Sequence, residues 1–119
     1  MAKRIIIIDD DETSRFLYRY HFRKISELQI VGEFETGEDA LPKIPELRPE
    51  VIIVDYTLPG MSGIDFVQKL TQFPTVKILL VSGHEVNHFG SAPKNSPPFH
   101  IFQKDWSDQN IESIIACCK

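Results

Sequence analysis

At 119 residues, 42% hydrophobic and 25% charged, the chain has the size of one ordinary domain built around one core. A formal net charge of -4, with lysines and arginines scattered along the chain, argues against the basic face of a nucleic-acid binder. No charged-then-apolar leader opens the sequence and no apolar run reaches bilayer length, so a cytoplasmic protein without membrane association is expected.

The first apolar run, RIIII at residues 4–8, reads as a strand and meets three consecutive aspartates, Asp9, Asp10 and Asp11. Carboxylates crowded at a strand's end repel one another unless a cation or a shared proton sits among them. Leu17, Tyr20, Lys24 and Leu28 then recur at helical spacing, and LQIVGEF at 28–34 reads as a second strand. GEDALPKIPELRPE has the length of a helix, but Pro42 and Pro45 each remove a backbone donor, so a short or kinked helix is expected. VIIV at 51–54 forms a third strand; Phe66, Leu70 and Phe73 mark a helix, and VKILLV at 76–81 a fourth strand.

GHEVNHFGSAPKNSPPF follows, with Gly90, Pro93, Pro97 and Pro98 opposing any long helix; a loop with at most one turn at 85–89 is expected. HIF at 100–102 completes five strands. The last helix carries Ile111, Ile114, Ile115 and Cys118 on one stripe behind a cap at Ser107. Adjacent Cys117 and Cys118 offer neither a disulfide framework nor a spaced metal motif and read as incidental thiols on that helix. Two of the strands are apolar without alternation, as strands covered on both faces are, and strands alternate with helices. A parallel sheet with right-handed crossovers is the economical fold.

Ligands of such sheets bind outside the carboxyl ends of the strands. The residues there are Asp9, Asp10 and Asp11 after strand one, Asp55 after strand three, Ser82 after strand four and Lys104 after strand five. Asp11 also suits the N-cap of the following helix. Three acidic positions, one hydroxyl and one ammonium on one rim suit phosphoryl transfer to a carboxylate. A hard cation such as Mg2+ is held by carboxylates and phosphate oxygens. Asp55 would attack phosphorus, while Lys104 and Ser82 hold phosphoryl oxygens.

These residues resemble the receiver domain of two-component response regulators, over nearly the whole chain. The resemblance rests on IIIIDDDETSR, RPEVIIVDYTLPGMSGID, KILLVSG and IFQKD, the second being the most specific. It implies a flavodoxin-like doubly wound sheet of five parallel strands in the order 2-1-3-4-5. It implies a Mg2+ site formed by Asp9, Asp10, Asp55 and the backbone carbonyl of Thr57, with Asp55 phosphorylated and Ser82 and Lys104 in contact with the phosphoryl group. It further implies a sensor histidine kinase or phosphotransfer protein as donor, a downstream protein as target, and self-catalysed phosphorylation and slow hydrolysis at rates set by the residues at Thr57 and His84.

Three departures from the family pattern stand out. Asp105 replaces the usual proline after the lysine, so a cis bond is not expected there. Ile101 occupies the common aromatic switch position, flanked by Phe99 and Phe102, and the proline-rich fourth crossover degrades or shortens a helix that relatives use for docking. That loop is expected to respond to phosphorylation. His21, His84, His88 and His100 read as ordinary loop histidines, with a tuning role open to His84.

Two alternatives stand beside this reading. One is a degenerate receiver that binds a partner without being phosphorylated. The other follows from Asp-x-Asp-x-Thr at residues 9–13, which resembles the first motif of haloacid-dehalogenase-type phosphohydrolases, with Asp9 as nucleophile, Asp11 as acid-base and Thr13 as helper. That reading lacks the usual glycine at Glu12 and leaves VIIVDYTLPGMSGID unexplained. A single domain over 1–119 without an output module is expected, its output being a protein contact or onward transfer of the phosphoryl group.

Overall fold

The structure is a computed structural model describing residues 2–83 and 97–119. Successive side chains of a strand point to opposite faces, so Ile5 and Ile7 of β1 (Lys3–Ile8) enter one core while Ile6 and Ile8 enter the other. β1 lies between β2 (Leu28–Phe34) and β3 (Val51–Asp55), followed by β4 (Lys77–Ser82) and β5 (His100–Gln103). All neighbours are parallel in the order β2-β1-β3-β4-β5, the doubly wound arrangement expected.

One face of the sheet carries α1 (Glu12–Phe22) and α5 (Asp108–Cys118), which bury Tyr18, Phe22, Ile114 and Cys118 against Ile5, Ile7, Ile53, Leu79 and Val81. The other carries α2 (Gly37–Ala40), α3 (Ile44–Leu47) and α4 (Gly63–Gln68), where Ala40, Ile44, Phe66 and Val67 meet Ile6, Ile8, Ile52, Val54 and Leu80. Leu70 joins this second core from a 3-10 turn, Lys69–Gln72, that extends α4, and Phe73 packs against it half-buried.

The proline-bearing second crossover is broken, as expected. α2 and α3 are four residues each, joined by a 3-10 turn at Leu41–Lys43 that takes Pro42; Pro45 falls in the first turn of α3, where no intrahelical donor is needed. The α1 stripe differs from expectation. Its buried residues are Ser14, Tyr18 and Phe22, whereas Tyr20 is exposed, Lys24 lies beyond the helix end and Leu28 opens β2. The helix holds two aromatic pairs at i, i+4 and can bury only one. The outer pair, Phe16 and Tyr20, is covered by cations, with Arg19 over Phe16 and Arg23 and Lys24 over Tyr20.

α5 buries Ile111, Ile114 and Cys118 behind the Ser107 cap, with Ile115 half-buried. Burial pushes the Cys118 thiol up to about 12, which suits a packing role. Two histidines depart from the loop reading: His21 lies in the last turn of α1, stacked on Trp106, and His100 begins β5. His84, His88, the turn at 85–89 and the shortened fourth helix lie outside the described residues. Among the described residues no helix is long and apolar enough to cross a membrane.

Candidate functional site

β1 and β2 remain paired one step past the last isoleucine, because the Asp9 N–H donates to the Phe34 carbonyl at 2.9 Å. Asp9 is thereby buried at the rim, 2% exposed, and its Oδ1 accepts the Asp11 N–H at 2.9 Å, which turns the chain toward α1. Asp10 points outward and is exposed. Asp11 caps α1, accepting from the Thr13 N–H at 3.2 Å and the Ser14 hydroxyl at 2.8 Å, and the Ser14 bond holds its carboxyl below the usual range. The aspartate triplet thus separates into a buried member, an exposed member and a cap.

Asp55 is delivered in the same way. β3 pairs past its end, Tyr56 N–H to Val81 carbonyl at 2.8 Å, and Asp55 Oδ1 accepts the Thr57 N–H at 3.2 Å. Ser82 ends β4 fully buried, paired in register with Gln103 of β5. The next amide, Lys104 N–H, donates to the Ser82 carbonyl at 2.6 Å. The Lys104 ammonium then reaches back across two strands to Asp9 Oδ2 at 2.8 Å and Asp55 Oδ2 at 2.9 Å.

The buried aspartates therefore have parallel arrangements: one carboxylate oxygen holds its own exit turn and the other faces Lys104. Burial raises the Asp9 carboxyl above its ordinary value, opposed by the bonds from Lys104 and the Asp11 amide. Burial also pulls the Lys104 ammonium down, but hydrogen bonding and charge from Asp9 and Asp55 outweigh it, and the net shift is upward. One oxygen from each of Asp9, Asp10 and Asp55 lies within 4.8 Å of the others. Two of these carboxylates share one ammonium and the third lies beside them, and this excess of hard oxygen donors fits a divalent cation of the Mg2+ kind.

The loop after Asp55 is shaped by two glycines. Gly63 packs against the strand end, where a Cβ would stand 2.3 Å from the Asp55 carbonyl, and Gly60 turns at φ +72°. Ser62 caps α4 through the Asp65 N–H at 3.1 Å, and Leu58 is buried. After Lys104 the chain turns without a proline: Asp105 accepts from the Ser107 N–H and hydroxyl, and Asn110 donates to the carbonyls of Gln103 and Asp105. No peptide bond among the described residues is cis.

At the position where the family resemblance implies an aromatic switch, Ile101 sits on edge strand β5 opposite Leu80, 36% exposed. Its flanking phenylalanines are committed one to each core, Phe99 to the α4 side and Phe102 to the α1 side.

All six sequence-predicted positions, Asp9, Asp10, Asp55, Thr57, Ser82 and Lys104, fall at the carboxyl ends of β1, β3, β4 and β5 or in the turns that follow them. Two residues absent from the sequence reading also reach this rim. Arg15 donates to the Asp9 carbonyl at 2.6 Å and approaches Glu33 and Glu35 from a side chain only 12% exposed. Glu38 accepts the Met61 N–H at 3.1 Å from a different crossover. The six-residue interval from Asp9 to Arg15 is one helical turn past the cap and could have flagged the first; nothing local to Glu38 points to the second.

Residues 5–116 match the response regulator receiver domain. Chemotaxis protein CheY of Thermotoga maritima is 32% identical over 83 residues, 69% of this chain and 68% of that protein. Response regulator GacA of Pseudomonas viridiflava is 32% identical over 87 residues, 72% of this chain and 41% of that protein. The chain spans only about a quarter to two fifths of the length of several such curated relatives. Among solved structures, the isolated receiver domain of RcsB from Salmonella enterica serovar Typhimurium superposes with a TM-score of 0.84 at 24% identity, covering 98% of this chain and 87% of that one. With that fold shared almost end to end and the sequence match running from within β1 to within α5, the chain belongs to the response regulator receiver domain family.

Proposed function

We propose that the chain accepts a phosphoryl group from a phosphohistidine onto Asp55 and signals the change through contacts with another protein. The observation that carries this reading is the Lys104 ammonium held 2.9 Å from Asp55 Oδ2 and 2.8 Å from Asp9 Oδ2, because it sets a cation beside the carboxylate that would attack. An Asp55 oxygen attacks phosphorus, the phosphorus–nitrogen bond of the donor breaks, and its electron pair returns to the imidazole. The product is an acyl phosphate on Asp55. Lys104 turns from the carboxylates to one phosphoryl oxygen and the Ser82 hydroxyl donates to another. Water attacking the same phosphorus later restores Asp55, so the chemistry is confined to the chain's own modification.

Asp9, Asp10, Asp55 and the Thr57 carbonyl would hold Mg2+, which supplies charge neutralisation between the carboxylates and the incoming phosphoryl oxygens. The donor is a sensor histidine kinase or a phosphotransfer protein, and a cytoplasmic setting follows from such a donor. Signalling is a shift between two conformations, set by how much better one of them holds the phosphoryl group. With Ile101 at the switch position, that shift proceeds without the rotation of an aromatic ring there.

Intact mass after incubation with Mg2+ and acetyl phosphate tests the reading. One phosphoryl group should add to the wild type and none to Asp55→Asn, nor to the wild type with chelator. Label retained in Asp55→Asn would sink the proposal. No label in the wild type, even with a cognate kinase, would leave a binding module that is never phosphorylated.

A further inference from the structure

Residues 56–62 carry the Thr57 carbonyl and begin at the reacting carboxylate, so their shape decides whether the site is assembled. Within the loop the ties are short: Thr57 N–H to Asp55 Oδ1 and Gly63 N–H to the Tyr56 carbonyl at 2.9 Å. The middle of the loop is tied from outside it. Glu38, in the first turn of α2, accepts the Met61 N–H through Oε2 at 3.1 Å. Its carboxylate also fills the space that Gly60 leaves, since a Cβ at Gly60 would stand 2.5 Å from Oε2 and 3.3 Å from Cδ.

The backbone that carries Glu38 is anchored, while its side chain is exposed. α2 is capped by Thr36 through the Asp39 N–H at 3.0 Å, and Gly37 is packed so closely on Phe66 that a Cβ would stand 2.8 Å from the ring. The geometry points to Glu38 as a positioning residue that clamps the loop after Asp55 in its metal-competent shape while touching none of the reacting atoms. The inference rests on the phosphoacceptor reading above and extends it to a residue on the second crossover. The carboxylate oxygen matters as a hydrogen-bond acceptor for Met61, and loss of that bond loosens Thr57 without unfolding the protein.

The test compares wild type, Glu38→Ala and Glu38→Gln in the full chain. Glu38→Ala should bind Mg2+ about 3- to 10-fold more weakly by calorimetry, the factor that corresponds to one hydrogen bond of ordinary net strength. Glu38→Gln keeps an acceptor oxygen and should stay within about twofold of wild type. Amide exchange at Met61, measured without any metal, should accelerate in Glu38→Ala and not in Glu38→Gln. Unchanged Met61 exchange in Glu38→Ala overturns the clamp whatever the metal result, and so does a Glu38→Gln variant as impaired as Glu38→Ala. Faster exchange in a protein whose wild type neither binds Mg2+ nor takes a phosphoryl group would support the clamp and refute the phosphoacceptor reading instead.

Discussion

Lys104 satisfies two buried carboxylates with one ammonium, and removing it would leave Asp9 and Asp55 facing each other without a counter-charge. Breaking a buried pair costs about 3–5 kcal/mol, but the Lys104 side chain is 17% exposed and water screens part of that, so Lys104→Ala should lose about 1–3 kcal/mol without divalent cation. Mg2+ should restore most of the loss, because a cation among the same oxygens replaces the missing charge. Denaturant unfolding of both proteins with and without Mg2+ measures this, and a loss that Mg2+ leaves unchanged would contradict the shared-charge account. The pH dependence has a defined sign. Pairing raises the Lys104 value, so its contribution is fully present below the ordinary lysine value of 10.5 and is lost as pH rises through the higher folded value.

The elements around the site are held by backbone shape as much as by charge, and Gly60 shows how. Its φ of +72° costs a residue with a Cβ about 1–2 kcal/mol, and that Cβ would also collide with the Glu38 carboxylate. Gly60→Ala should therefore lower stability more in the wild type than in a Glu38→Ala background, where the strain remains and the collision is gone. Equal losses in the two backgrounds would remove the contact from the account. Strand ends were legible in the sequence because a polar residue directly follows the apolar runs at Asp9, Asp55 and Ser82, and the broken second crossover was legible from Pro42 and Pro45. The buried face of α1 was not. Phe16 with Tyr20 and Tyr18 with Phe22 share the same spacing, and only the position of the helix over the sheet selects between them. Glu38 was illegible for a related reason: its partner is 23 residues away, on a loop that only the fold brings near.

At the scale of the molecule, one central sheet with a core on each side turns four strand ends into a rim of fixed spacing. Ile5 to Ile8 supply both cores in alternation, so the same run that anchors the fold positions Asp9 and Asp10. The split of the aspartates into clustered and capping members was readable as a tendency of Asp11 toward the helix; the burial of Asp9 against the exposure of Asp10 emerges only from strand pairing with Phe34. The match over residues 5–116 extends this architecture to a family, while the chemistry at Asp55 is the claim on which the functional account stands. Borohydride reduction after phosphorylation tests it most directly, since it converts an aspartyl acyl phosphate to homoserine and marks the residue for peptide mass mapping. Homoserine is expected at position 55 after treatment with Mg2+ and acetyl phosphate; homoserine at position 9 instead, with Asp55 unmodified, would rule out Asp55 as the phosphoacceptor.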